Sequence, residues 1–265
     1  MEKDNYIPFN PFFLISGSHP QTIFGAMLVI QRHPESINRL ITLPDGDKIS
    51  LEISIPENWR ETDPTVFMLH GLCGSHKSPY LVRMTKKLLK KGFRCIRMNL
   101  RGCGSGKGYA KKVYHGGQSE DVYEVIKILA RETPFSKTTL MGFSLGGAIL
   151  LKLAGELGYF AGRFFDQVIA VNPPIDLYSS VDLLRQPKNQ IYERFFSKML
   201  RDDIDYRRSY FNQPKIKFSK NAGIFEIDSL CTAPSYGFSD VMEYYQKQSA
   251  KSVLPNIGLP AKILI

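Results

Sequence analysis

The sequence predicts an α/β fold built on a mostly parallel, doubly wound sheet. Three observations point there. Short apolar, β-branched runs alternate with longer segments of helical periodicity between residues 65 and 171. The run Thr65-Val66-Phe67-Met68-Leu69 is apolar almost throughout, as a parallel strand buried on both faces is. Residues Thr138 to Leu151 read as strand, tight turn and helix, with Gly142-Phe143-Ser144-Leu145-Gly146 at the turn.

In chain order, residues Tyr6 to Arg32 are rich in aromatics and prolines, and an arm of about residues 1–36 is expected to lie across the domain body. Arg39–Leu43 and Lys48–Ile55 read as two strands joined by the turn residues Pro44-Asp45-Gly46-Asp47. The second alternates Ile49, Leu51, Ile53 and Ile55 with polar residues, so one of its faces is buried. After Thr65–Leu69 comes His70-Gly71-Leu72-Cys73-Gly74-Ser75, then a helix from about Pro79 to Lys91. Phe93–Leu100 is the next strand, and about Glu120–Arg131 the next helix, with Val122, Val125, Ile126 and Leu129 at helical spacing. Gln167–Val171 follows the Ser144 turn and its helix. Residues from about 175 to 253 are then helical and aromatic, from Tyr192 to Tyr245, and are expected to form a lid over Ser144. Residues 261–265 begin a further strand.

The turn at Ser144 has a physical logic. A serine on so sharp a bend sits in a strained backbone conformation, and glycines at 142 and 146 remove the side chains that would clash there. Ser144 stands at a helix N-terminus, where the Leu145 amide and the helix dipole favour a developing negative charge. The competing reading is a glycine-rich turn with an ordinary capping serine. His70-Gly71, Arg101-Gly102 and Ser144 all fall at carboxyl ends of predicted strands, where an open α/β sheet binds its ligands.

Composition narrows the classes. The chain has 265 residues, 43% of them hydrophobic, which suits one domain with a real core. The four cysteines, Cys73, Cys95, Cys103 and Cys231, form no C-x-x-C pair and fit no zinc site, so no metal and no cofactor are expected. Free thiols and a start without a basic-then-apolar leader predict a cytoplasmic protein. The net charge is +10, with Lys86, Lys87, Lys90 and Lys91 on one predicted helix and Lys107, Lys111 and Lys112 in a loop. That basic surface is either simply solvated or weakly attracted to an anionic membrane. No nucleic-acid motif is present, and no nucleic-acid partner is expected.

Several segments in order carry a resemblance. They are Phe9-Asn10-Pro11, His19-Pro20-Gln21-Thr22, His70-Gly71-Leu72-Cys73-Gly74, Asn99-Leu100-Arg101-Gly102-Cys103-Gly104, Tyr114-His115-Gly116-Gly117, the Ser144 turn, and Asp228 through Phe238 (D-S-L-C-T-A-P-S-Y-G-F). Together they resemble the α/β-hydrolase superfamily, and within it the YheT-like serine hydrolases. The resemblance implies an α/β-hydrolase fold and hydrolysis of a lipophilic carboxylic ester through an acyl-serine intermediate. It implies Ser144 as nucleophile, and the amides of Leu72 and Leu145 as the oxyanion hole.

One departure stands out. A serine hydroxyl needs a base, and in this fold the order is serine, acid, histidine. All five histidines (His19, His33, His70, His76 and His115) precede Ser144. The resemblance implies an acid after the strand that begins near Ala261 and a histidine one strand later. The chain is therefore expected to be a truncated member, with the last strands and the final helix missing and activity impaired. The alternatives are an inactive product or a ligand-binding pseudoenzyme, or a substitute base among His70, His76 and His115. His70 is expected to hold the oxyanion turn and His76 to sit near the pocket mouth. Asp176 and Asp228 are the remaining carboxylate candidates.

Overall fold

The apolar runs form strands, and the strands join one sheet. The structure, a computed structural model, describes residues 32–265; the expectations for the arm over residues 1–31, with its two resemblance segments, lie outside the described residues. The strands are β1 (Ile37–Thr42), β2 (Lys48–Ser54), β3 (Thr65–Leu69), β4 (Arg94–Met98), β5 (Thr138–Phe143), β6 (Gln167–Val171) and β7 (Ala261–Leu264). Their order in the sheet is β1-β2-β4-β3-β5-β6-β7. β1 and β2 pair antiparallel, as do β2 and β4; the remaining pairs are parallel.

Side-chain alternation sets the layers. On β3 and β4, Val66, Met68 and Cys95 face α1 (Pro79–Leu89), whose Leu81 packs among them. Phe67, Leu69, Ile96 and Met98 face the other way. There they meet α2 (Ser119–Glu132) through Val122, Val125 and Ile126, and α3 (Leu145–Leu157) through Ile149, Leu150 and Leu153. α1 begins with a proline at its start and carries Lys86 and Lys87 in its last turn, where they complement the helix dipole.

β4 ends two residues earlier than the sequence suggests, and Leu100 bonds to a side chain instead of a neighbouring strand. The Asn99 N–H donates to the Ser50 carbonyl at 2.9 Å, and the Leu100 N–H donates to His70 Nε2 at 3.1 Å. The carboxyl end of the sheet is thereby tied to the turn after β3.

Between β6 and β7 the chain is helical. α4 (Leu177–Arg185) is capped by Asp176, whose side chain accepts the Ser179 N–H at 3.0 Å. α5 (Gln190–Tyr210) turns Ser197, Ile204 and Arg207 inward. A single π-helical turn spans Asp228–Thr232, and α6 (Val241–Gln248) starts at Asp240, which caps it through the Glu243 N–H. β7 pairs with β6 over Val168↔Ala261 to Val171↔Leu264, and all four of its residues are exposed.

The Ser144 turn tests the packing argument. A Cβ on Gly146 would strike the carbonyl oxygens of His70 and Leu69, the latter at 2.6 Å. Backbone oxygens cannot swing aside as a flexible side chain can. Gly146→Ala is expected to cost about 3 kcal/mol or more of stability in urea unfolding. Gly162→Ala, whose new methyl meets nothing within 4 Å, serves as the near-neutral control.

Candidate active site

Ser144 sits at the apex between β5 and α3 with φ 48° and ψ −124°, a region that side-chain-bearing residues rarely adopt. The surrounding structure holds it there. Its N–H donates to the Val171 carbonyl at 2.8 Å, and its own carbonyl accepts from the Gly147 and Ala148 amides at 2.8 and 3.2 Å. A Cβ at Gly142 would lie 2.5 Å from the Gly146 carbonyl oxygen, so the two glycines are required by the close return of the helix onto the strand. Ser144 itself is exposed, and it opens onto a cavity of about 430 Å³.

Leu72 and Leu145 line the same cavity. Leu145 is the first residue of α3, so its N–H has no acceptor within the helix. In the turn after β3, two tyrosine hydroxyls take the amides on either side of Leu72. Tyr80 Oη accepts the Gly71 N–H at 3.0 Å, and Tyr114 Oη accepts the Cys73 N–H at 2.8 Å. Cys73 has φ 56°, which turns the chain sharply. Among the described residues no acceptor takes the Leu72 N–H. Sequence reasoning missed both tyrosines as supports of this turn. Tyr114 lies in the Tyr114-His115-Gly116-Gly117 segment that carries the resemblance; no local pattern marks Tyr80.

The histidines are engaged elsewhere. His70 is fully buried; its Nε2 accepts the Leu100 N–H, so its proton is on Nδ1, which donates to the Gly71 carbonyl at 2.7 Å. Burial pushes its pKa down to about 4, which keeps the ring neutral. It fastens the turn, as the sequence suggested. His115 lines the cavity, but its Nδ1 accepts the Gly117 N–H at 3.1 Å and its ring is packed against Tyr236 and Tyr244. Burial lowers its pKa to about 3. His76 does not stand at the mouth of this cavity: it is buried, with Nδ1 3.1 Å from Asn99 Oδ1 and Nε2 3.9 Å from Glu52. Burial lowers its pKa as well. His33 is exposed and His19 lies outside the described residues. No histidine is hydrogen-bonded to Ser144 among the described residues.

The carboxylates divide cleanly. Asp176 is used as a helix cap and pairs with Lys251 at 3.2 Å; the Ser179 bonds foremost, then Lys251, hold its pKa low. Asp228 lines the cavity. Its Oδ1 accepts from Thr232 Oγ1 at 2.7 Å and its Oδ2 from Tyr245 Oη at 2.8 Å. Burial raises its pKa from 3.8 to about 6, against the pull of those two hydroxyls.

A raised carboxyl pKa has a definite consequence. Below about pH 4 Asp228 is protonated folded or unfolded, and its ionisation costs the native state nothing. As pH rises through 4 to 6 the unfolded chain releases the proton first, so native stability is lost and stays lost above the folded pKa. At about 1.4 kcal/mol per unit, the loss is about 3 kcal/mol. Asp228→Asn removes it. The stability of that variant relative to the native protein is expected to rise by about that amount between pH 4 and pH 7 in urea titrations, with other groups cancelling in the comparison. A flat difference would show that Asp228 titrates normally.

The family described as alpha/beta hydrolase fold matches residues 64–210, more than half the chain. The chain belongs to the α/β-hydrolase fold family. Within it, the chain is 27% identical over 265 residues to YheT of Escherichia coli (strain K12), covering 98% of this chain and 76% of that protein. It is 26% identical over 229 residues to a monoacylglycerol lipase of Saccharomyces cerevisiae, covering 82% of this chain and 48% of the lipase. The chain thus spans from about half to about three quarters of these relatives. Among solved structures, Est1E of Butyrivibrio proteoclasticus with bound ferulic acid superposes with a TM-score of 0.56 at 15% identity, over 86% of this chain and 77% of that one, a likeness of fold. Among the described residues no helix is long and apolar enough to cross a membrane.

Proposed function

We propose that this chain carries the acyl-transfer half of a serine hydrolase acting on lipophilic carboxylic esters. Ser144 is the nucleophile, and the Leu72 and Leu145 amides receive the oxyanion of the tetrahedral intermediate. The observation that carries the reading is the strained serine at a cavity whose lining includes Leu72 and Leu145, with no acceptor on the Leu72 N–H among the described residues and none within the helix for the Leu145 N–H. Attack on an acyl carbon moves charge onto oxygen, and amides fixed beforehand stabilise that charge without reorganising. Loss of one such donor costs about a hundred- to a thousandfold in rate. The apolar walls, including Leu177, Val181, Phe196 and Leu200 from the helices between β6 and β7, suit an acyl chain, and those helices act as a lid. The lipase among the relatives supports a lipid-like ester.

A second reading is a ligand-binding protein without turnover. The absence of any imidazole on Ser144 among the described residues favours it. A long-chain alkyl fluorophosphonate, followed by intact-protein mass spectrometry, separates the two. Slow but stoichiometric labelling, accelerated by added imidazole and abolished in Ser144→Ala, is expected of the hydrolase scaffold. Folded protein that takes no label even with imidazole is a binder.

A further inference from the structure

We propose that Asp228, Thr232 and Tyr245 form a polar subsite in the cavity wall that receives a hydrogen-bond donor on the bound ester, a hydroxyl or an ammonium group. The proposal rests on the reading that this cavity holds substrate.

The three side chains come from the π-helical turn and from α6, and all three line the cavity. Thr232 and Tyr245 each donate one hydrogen bond, to different oxygens of the Asp228 carboxyl. A carboxylate offers about four acceptor positions, so two remain. Among the described residues no lysine, arginine or histidine pairs with Asp228. Ile224, Ile227 and Val181, which line the same cavity, supply hydrocarbon to its wall. A buried carboxyl with spare acceptor capacity and no cation is costly to hold in such a wall, and a donor from the ligand satisfies it. π-helical turns are rare and occur often at functional sites, and this one carries both Asp228 and Thr232, four residues apart. The sequence segment from Asp228 to Phe238 thereby acquires a role that the reaction at Ser144 leaves unassigned.

The test is binding, so turnover is not needed. Isothermal titration calorimetry on residues 1–265 compares 1-octanol, n-octylammonium and heptyl methyl ether. The first and last have the same number of heavy atoms, but the ether has no donor. We expect 1-octanol, n-octylammonium or both to bind about tenfold or more tightly than the ether. The tighter of the two names the donor: ammonium if the subsite takes a cation, hydroxyl if it takes a neutral group. Asp228→Leu is expected to erase the preference, and Asp228→Asn to reduce it and to remove any advantage of the ammonium. If Asp228→Leu does not fold, the native contrast and the Asn variant decide. Equal affinities for all three probes, failure of all three to bind, or a preference that survives Asp228→Leu would overturn the proposal. The hydrolase reading fails separately, by a Ser144 that never takes a phosphonate, and that result leaves the octanol–ether contrast standing.

Discussion

Purified residues 1–265 are expected to hydrolyse simple carboxylic esters about a millionfold more slowly than a family member with a complete serine–histidine–acid triad. The reason lies in the imidazoles. Removing the base from such a site leaves only what the oxyanion amides and binding supply. His70 is fixed by bonds from Leu100 and to Gly71, His115 by the Gly117 amide, and His76 by Asn99. Burial lowers the pKa of all three, so proton acceptance is opposed as well as geometrically misplaced. The measurement is turnover of p-nitrophenyl esters by the native chain against Ser144→Ala. Near-identical slow rates without imidazole, and a Ser144-dependent increase when imidazole is added, are the expected pair. Vigorous Ser144-dependent turnover in its absence would show that one of these histidines leaves its bonds to act as base.

Arg207→Met should destabilise the fold by about 3–5 kcal/mol, or roughly 10 °C in melting temperature for a chain of this size. Arg207 is 2% exposed. Its Nε donates to Asp203 at 2.7 Å, and the other nitrogens donate to the carbonyls of Ala110 (3.2 Å), Lys112 (2.8 Å) and Arg101. Methionine fills similar volume yet leaves three backbone acceptors without this donor. The same change loosens α5 from the loop between β4 and α2, because Arg101 is itself clamped by Asp121, Asp45 and Asp47. Arg194→Met, on the exposed face of α5, is the control and should change stability by less than about 0.5 kcal/mol. Equal effects at the two positions would remove Arg207 as the tie.

These residues also show where sequence reading ends. Strand β3 was legible because a strand buried on both faces is apolar at nearly every position. The Ser144 turn was legible because its strain demands glycines at fixed offsets. Arg207 was not. On sequence it is one more basic residue on an amphipathic helix with an acid four positions earlier, and its acceptors lie about a hundred residues away. Tyr80 and Tyr114 were opaque for the same reason: a hydroxyl that accepts an amide from another element leaves no local pattern. Asp228 was visible only within a familial segment, since its altered acidity comes from burial that several elements jointly create.

The central claim is that Ser144, Leu72 and Leu145 make one acyl-transfer site. It is tested most directly by a crystal structure of residues 1–265 with a phosphonate bonded to Ser144 Oγ. The account predicts the phosphonyl oxygen about 3 Å from both the Leu72 and the Leu145 amide nitrogens, with the alkyl chain in the cavity. A phosphonyl oxygen turned to solvent, or either amide bonded to another protein group in the adduct, would contradict it.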